Sequence, residues 1–164
     1  MSAGTQGLST NRSAIDDFLQ AAAASSSRWT EPSAPGKWSP SQVLEHVARS
    51  LEESAKDMQG QRSKFPQLPG LLRLLARQFL FKRVLKSGTF PKARTNRAMD
   101  PESGPRSVEE GRRRLEGAWQ AFVAASKQVG PTARSRTFGD VDLGDYLRFQ
   151  ALHTSHHRRQ LPGS

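Results

Sequence analysis

The stretch DVDLGDYLRFQALHTSHHRRQL, residues 140–161, decides how the chain is read. Tyr146, Phe149, His153 and His157 recur at helical spacing, with Gln150 and Gln160 alongside. Asp142 and Asp145 supply a capping signal at the start. The stretch is therefore expected to be the closing helix of an all-α chain. His153 and His157 stand four residues apart, which on a helix places both imidazoles on one face, about 5–6 Å apart at Cβ. That separation allows both to reach one metal ion. His156 lies three residues after His153, and spacing alone leaves it open as the partner. A duller reading of HTSHHRRQ is a surface cluster in a basic terminus.

The one remaining histidine, His46, lies in a second strong helical pattern. Ser39 suits an N-cap and Pro40 the first helical position. Val43, Leu44, Val47, Leu51, Ala55 and Met58 then form an apolar stripe, with His46 on its flank and Gly60 as a stop. If the second and last helices pack together, His46, His153 and His157 can converge. Catalytic zinc sites typically use three protein ligands and leave a position open. Nickel, iron, cobalt and manganese are alternatives that affinity order alone does not separate. Three neutral imidazoles leave a divalent site at about +2, favouring an anion in the open position. Such an ion activates a bound water or thiol. Tyr146, Gln150 and Gln160 are candidates for positioning substrate or orienting the imidazoles, beside their ordinary use in helix packing.

Two further long helices complete the pattern. Ser13 and Asp16 resemble a capping box opening a helix over 12–26, with Ile15, Phe18, Leu19, Ala22 and Ala23 on its core face. Residues 1–12 read as a flexible N-terminal tail, and 13–164 as a single domain. Ser107 and Glu110 open a helix over 107–128, which Gly130 and Pro131 stop. Between the second and third long helices, LLRLLARQFLFKRVLK, residues 71–86, is apolar nearly all round. It predicts a short extra helix that crosses the other helices, meets a second subunit or touches a membrane surface. Residues 87–106 read as irregular, long enough to be functional or to wrap a surface.

The chain has 164 residues and no cysteine, so disulfides and thiolate metal sites are excluded. Any sulfur chemistry needs a thiol brought in by a small molecule. No secretory signal pattern and no membrane-spanning apolar run is present, so a soluble cytoplasmic protein is expected. The net charge of +10 is concentrated. Ten basic residues lie between Met58 and Met99 (Arg62, Lys64, Arg73, Arg77, Lys82, Arg83, Lys86, Lys92, Arg94 and Arg97) with no Asp or Glu among them. This segment is read as a solvated insert, a rim steering an anionic substrate, or a surface for nucleic acid or anionic membrane.

The segment GKWSPSQVLEHVARSLEES, residues 36–54, resembles the second helix of the DinB/YfiT-like superfamily, where a Trp precedes the helix and a His lies inside it. HTSHHRRQ resembles that superfamily's closing His-x-x-x-His helix. FLFKRVLKSGTFPKA and FGDVDLGDYLRFQALH are similar to a short branch known as a domain of unknown function. The resemblance implies a four-helix bundle with one divalent metal on His46, His153 and His157, and a homodimer. It further implies a metal-dependent transferase, using a low-molecular-weight thiol such as bacillithiol or mycothiol on a small electrophile, or a hydrolase activating water. A non-catalytic stress-response or binding module with a structural metal is the alternative.

Overall fold

The computed structural model describes residues 3–92 and 96–162. Arg94 of the basic segment, Met1 and Ser2 of the expected tail, and the last two positions of the expected domain lie outside the described residues.

The chain is mostly helical. Four long helices, α1 (Ala3–Ala24), α2 (Pro40–Met58), α5 (Val108–Gln128) and α6 (Leu143–Arg158), carry the core. Between α2 and α5 lie α3 (Gly70–Ala76) and α4 (Lys82–Ser87), joined by a π-helical turn, Arg77–Phe81. A hairpin of β1 (Thr132–Ser135) and β2 (Gly139–Asp142) separates α5 from α6. Its strands are antiparallel, with Ala133 opposite Val141 and Ser135 opposite Gly139.

Local signals account for most boundaries. The Ser39 hydroxyl accepts from the Gln42 amide, the Gln42 side chain accepts from the Ser39 amide, and Pro40 fills the first helical position. Gly60, at φ +71°, turns the chain out of α2. Ser107 caps Glu110 at 3.2 Å, while the Glu110 carboxylate reaches the Arg106 amide at 2.9 Å. Asp142 caps α6 through the Asp145 amide at 2.9 Å.

Two expectations are corrected. The helix predicted over 12–26 begins at Ala3, so residues 3–12 are no tail and Ser13 is no cap. The extension is held by tertiary contact: buried Asn11 donates to the Leu147 carbonyl of α6 at 2.6 Å. A Cβ on Gly7 would stand 2.9 Å from that of Leu147, so glycine permits the close approach. The closing helix starts at Leu143, because residues 140–142 belong to β2. The expected helical class holds, with a small two-stranded sheet added.

The dominant packing pairs α1 with α6 and α2 with α5. Phe18, Leu44, Leu51, Leu115, Phe122 and Leu147 are fully buried among them. Each such side chain stabilises the fold by roughly 1.5–3 kcal/mol. Half-buried Arg114 of α5 grips Glu45 at 3.0 Å and Glu52 at 2.6 Å on α2, fixing the register of that pair. Arg12 joins α1 to α5 through Glu116 at 2.7 Å. A deep cleft opens where α2 faces α6.

Candidate metal centre

The cleft has a volume of about 640 Å³. One wall is α2, through Val43, His46 and Ser50. The opposite wall is the α6 face carrying Tyr146, Gln150, His153 and His157. The α6 residues succeed one another by three or four positions, so a single turn-by-turn row faces inward. His46 reaches across from the other wall. Its ring centroid lies 5.3 Å from that of His153 and 4.5 Å from that of His157. One ring nitrogen from each of the three falls within 4.8 Å of the others.

Hydrogen bonds select which nitrogens converge. His46 Nδ1 stands 2.9 Å from the Met99 carbonyl, an acceptor, so Nδ1 carries the proton and Nε2 keeps its lone pair. The amide oxygen of Gln160 lies 3.0 Å from His157 Nδ1 and fixes the same tautomer there. His157 Nε2 then faces His153 Nε2 at 3.1 Å. Two ring nitrogens this close either share a proton or share a cation. Two nitrogens bound to one tetrahedral ion at about 2.0–2.1 Å stand roughly 3.3 Å apart, close to the observed separation.

The protonation state also suits a cation. Burial, then the charge of neighbouring His46, pushes the His157 pKa down to about 3. Burial and the adjacent imidazoles hold His153 well below its ordinary value. His46 is lowered by burial, against the pull of the Met99 carbonyl. All three are therefore neutral near pH 7, the form that ligates a metal. The donor set, the tautomers and the spacing together fit one divalent ion. Imidazole nitrogens are ligands that divalent transition metals accept, whereas calcium and magnesium prefer oxygen.

Each candidate residue has a place. Tyr146 is buried in contact with Ser54 and Gln150, and burial raises its pKa, so its hydroxyl stays protonated. Gln150 donates to the Ser54 hydroxyl at 2.9 Å. Both line the cleft without joining the imidazole cluster. Gln160 orients His157. His156 lines the cleft but is outside the converging set; its ring packs on Phe90 at 5.3 Å and on His157 at 5.1 Å.

Sequence reasoning noted the Trp before α2 only as a family feature and passed over the other partners. Trp38 covers the His46 ring at a centroid distance of 4.8 Å, and its indole N–H donates to Asp100 at 2.9 Å. Phe90 packs on His153 at 5.5 Å. The Met99 carbonyl comes from the irregular connection, which straps back over α2. Gly104 makes the strap possible, since a Cβ there would lie 2.2 Å from the Ser41 carbonyl oxygen. The Pro105 carbonyl then accepts from Trp29 at 2.8 Å and Ser41 at 2.6 Å. A main-chain acceptor carries no side-chain signal, and only the length of the connection hinted at it.

No Asp or Glu is among the described residues lining the cleft. Among the described residues, Lys37 is the one Lys or Arg lining it.

A sequence model of the DinB superfamily matches residues 8–161. No curated protein matches the chain. No solved structure matches it either. The match spans nearly the whole chain, and the chain belongs to the DinB superfamily.

Proposed function

We propose that this member of the DinB superfamily is a metal-dependent enzyme that activates a small thiol or water for transfer to, or hydrolysis of, a small electrophilic substrate. The observation carrying the proposal is the convergence of His46, His153 and His157 on the wall of an open cleft with no carboxylate among its described lining residues. The superfamily's four-helix bundle arrangement and its cytoplasmic setting, where low-molecular-weight thiols are reduced, belong to the same reading. So does assembly as a homodimer.

His46, His153 and His157 would hold the ion through their Nε2 atoms. When bound, a divalent ion supplies Lewis acidity that makes water or a thiol nucleophilic near neutral pH. The remaining work falls to the chain. Gln160 and the Met99 carbonyl hold the two imidazoles in the ligating tautomer. Trp38, Phe90 and Phe149 wall the centre with apolar surface and limit water. The neutral Tyr146 hydroxyl and the Gln150 amide offer hydrogen bonds to a substrate oxygen deeper in the cleft. With a divalent ion held by three neutral imidazoles the site would carry excess positive charge, and with Lys37 also lining the cleft it would favour an anionic nucleophile or substrate.

The test joins metal analysis to a screen of small thiols against electrophilic acceptors, with esters and amides as hydrolytic substrates. Metal-dependent consumption of a substrate, absent in His153→Ala, is the expected result. A fully metal-loaded protein inert in every assay would favour the structural-metal reading instead.

A further inference from the structure

Residues 70–87 run as one continuous helical segment through α3, the π turn and α4. Its C-terminal half is anchored: Phe81, Val84 and Leu85 are buried, and the Phe81 ring packs on Phe138 and Phe149 at 5.1 Å each. Its N-terminal half is more open, although Ala76 and Leu80 pack against the core. Leu71 is 70% exposed and Phe79 68%, with Leu72, Leu74 and Leu75 also open to solvent. These five are the exposed large hydrophobics among the described residues. Gathered on one short helix, they form a contiguous patch of the kind that marks an interaction surface.

Cations frame the patch. Arg73 and Arg77, four residues apart, turn toward the hairpin and with Arg134 line a notch of about 530 Å³. Arg77 donates to the Asp140 carbonyl at 3.2 Å, and the Arg73 side chain lies beside Gly139. Asp140 is the one carboxylate residue lining the notch, and no ion pair joins any of the three arginines among the described residues. Lys82, Arg83 and Lys86, all exposed, extend the positive surface past Phe79. Three arginines lining one open notch, none of them in an ion pair among the described residues, suit a phosphate group.

We infer that this face docks on an anionic membrane surface. The leucines and Phe79 enter the boundary between headgroups and acyl chains, and the arginine notch takes a headgroup phosphate. Lys82, Arg83 and Lys86 lie over the charged surface, where each basic residue adds to binding. No helix among the described residues is long and apolar enough to cross a membrane, so the association is peripheral. Charge complementarity chooses this occupant. A two-fold contact between copies would set the same basic surface against itself. Nucleic acid would meet the phosphate-binding arginines but leave an aliphatic leucine patch, with one aromatic ring, against a hydrated backbone. The inference is independent of chemistry at the histidine cleft.

Flotation of the full chain with vesicles tests it. Binding to phosphatidylglycerol-containing vesicles is expected at low salt, weakened by added salt and nearly absent on phosphatidylcholine alone. Leu72→Ser with Phe79→Ser should lower the partition coefficient at least about ten-fold. Arg73→Gln with Arg77→Gln should lower it several-fold and flatten the salt dependence. Both double variants replace surface residues, and their circular dichroism and metal content should match the parent. Competition by inorganic phosphate against vesicle binding would support the headgroup notch. Phosphate binding to a chain that ignores vesicles would overturn the membrane in favour of a free phosphorylated ligand. Equal binding to neutral vesicles, or anionic binding that both double variants retain, would also overturn it. So would a dimer that dissociates in Leu72→Ser/Phe79→Ser, or a duplex DNA complex formed while vesicles are ignored.

Discussion

The histidine cleft and the basic helix 70–87 break the same rule in opposite directions. The cleft buries imidazoles and a phenol that water would solvate. The helix exposes leucines and a phenylalanine that a core would accept. In ordinary soluble surfaces and cores such placements are uncommon, and each calls for something absent from the isolated chain. For the cleft it is a cation that makes use of three converging lone pairs. For the helix it is an apolar, negatively charged surface. The cleft is fixed by hydrogen bonds behind its ligands, whereas the outer half of the helix leaves its leucines and Phe79 open to solvent.

Stability measurements should separate the two regions. The largest effect is expected inside the common core: Leu115→Ala should lower unfolding free energy by about 2–5 kcal/mol in urea titration. A value near zero would mean that α5 is not packed as described. Next comes the orienting shell of the cleft. Gln160→Ala removes the acceptor at His157 Nδ1 and should weaken metal affinity roughly ten-fold, at the low end for such partners because water can replace an exposed amide. Calorimetric titration of the metal-free protein checks this.

Acidity gives a graded effect. Burial keeps the folded-state His157 pKa about 3, and His46 and His153 are also lowered, while in the unfolded chain each titrates near its ordinary value. Below about pH 6.5 the unfolded chain therefore binds more protons than the folded one. The stability contributed by the neutral imidazoles is complete above that pH and is lost as the pH falls toward the folded values. The slope is at most about 1.4 kcal/mol per pH unit per histidine. Urea midpoints of the metal-free protein should fall between about pH 7 and about pH 5, less steeply in His157→Gln. The smallest effect belongs to the exposed helix: Phe79→Ser should change stability by no more than about 0.5 kcal/mol. A larger loss would show that the ring is packed in solution.

The two regions were also unequally legible in the sequence. Ser39, Pro40 and Gly60 outlined α2 because capping is chemistry between near neighbours. The helical pitch placed Tyr146, Gln150, His153 and His157 on one face, and the concentration of charge in 58–99 was plain. What local pattern could not carry was contact between distant residues. Gly7 and Asn11 look like loop residues until Leu147 is set beside them. The hairpin has only four residues per strand, too few for alternation to stand out. The choice of His157 over His156 needed the facing wall, since both lie within helical reach of His153. The Met99 carbonyl and the Trp38 ring enter the site through the path of a connection, which no periodicity describes.

The central claim is that three imidazoles from two facing helices share one ion. A crystal grown after loading with zinc or nickel, with anomalous diffraction collected at the metal edge, tests it directly. One ion per chain, bound by Nε2 of His46, His153 and His157 at about 2.0–2.1 Å, is the predicted result. An ion held at other residues, or no ion within reach of these rings in fully loaded protein, would contradict it.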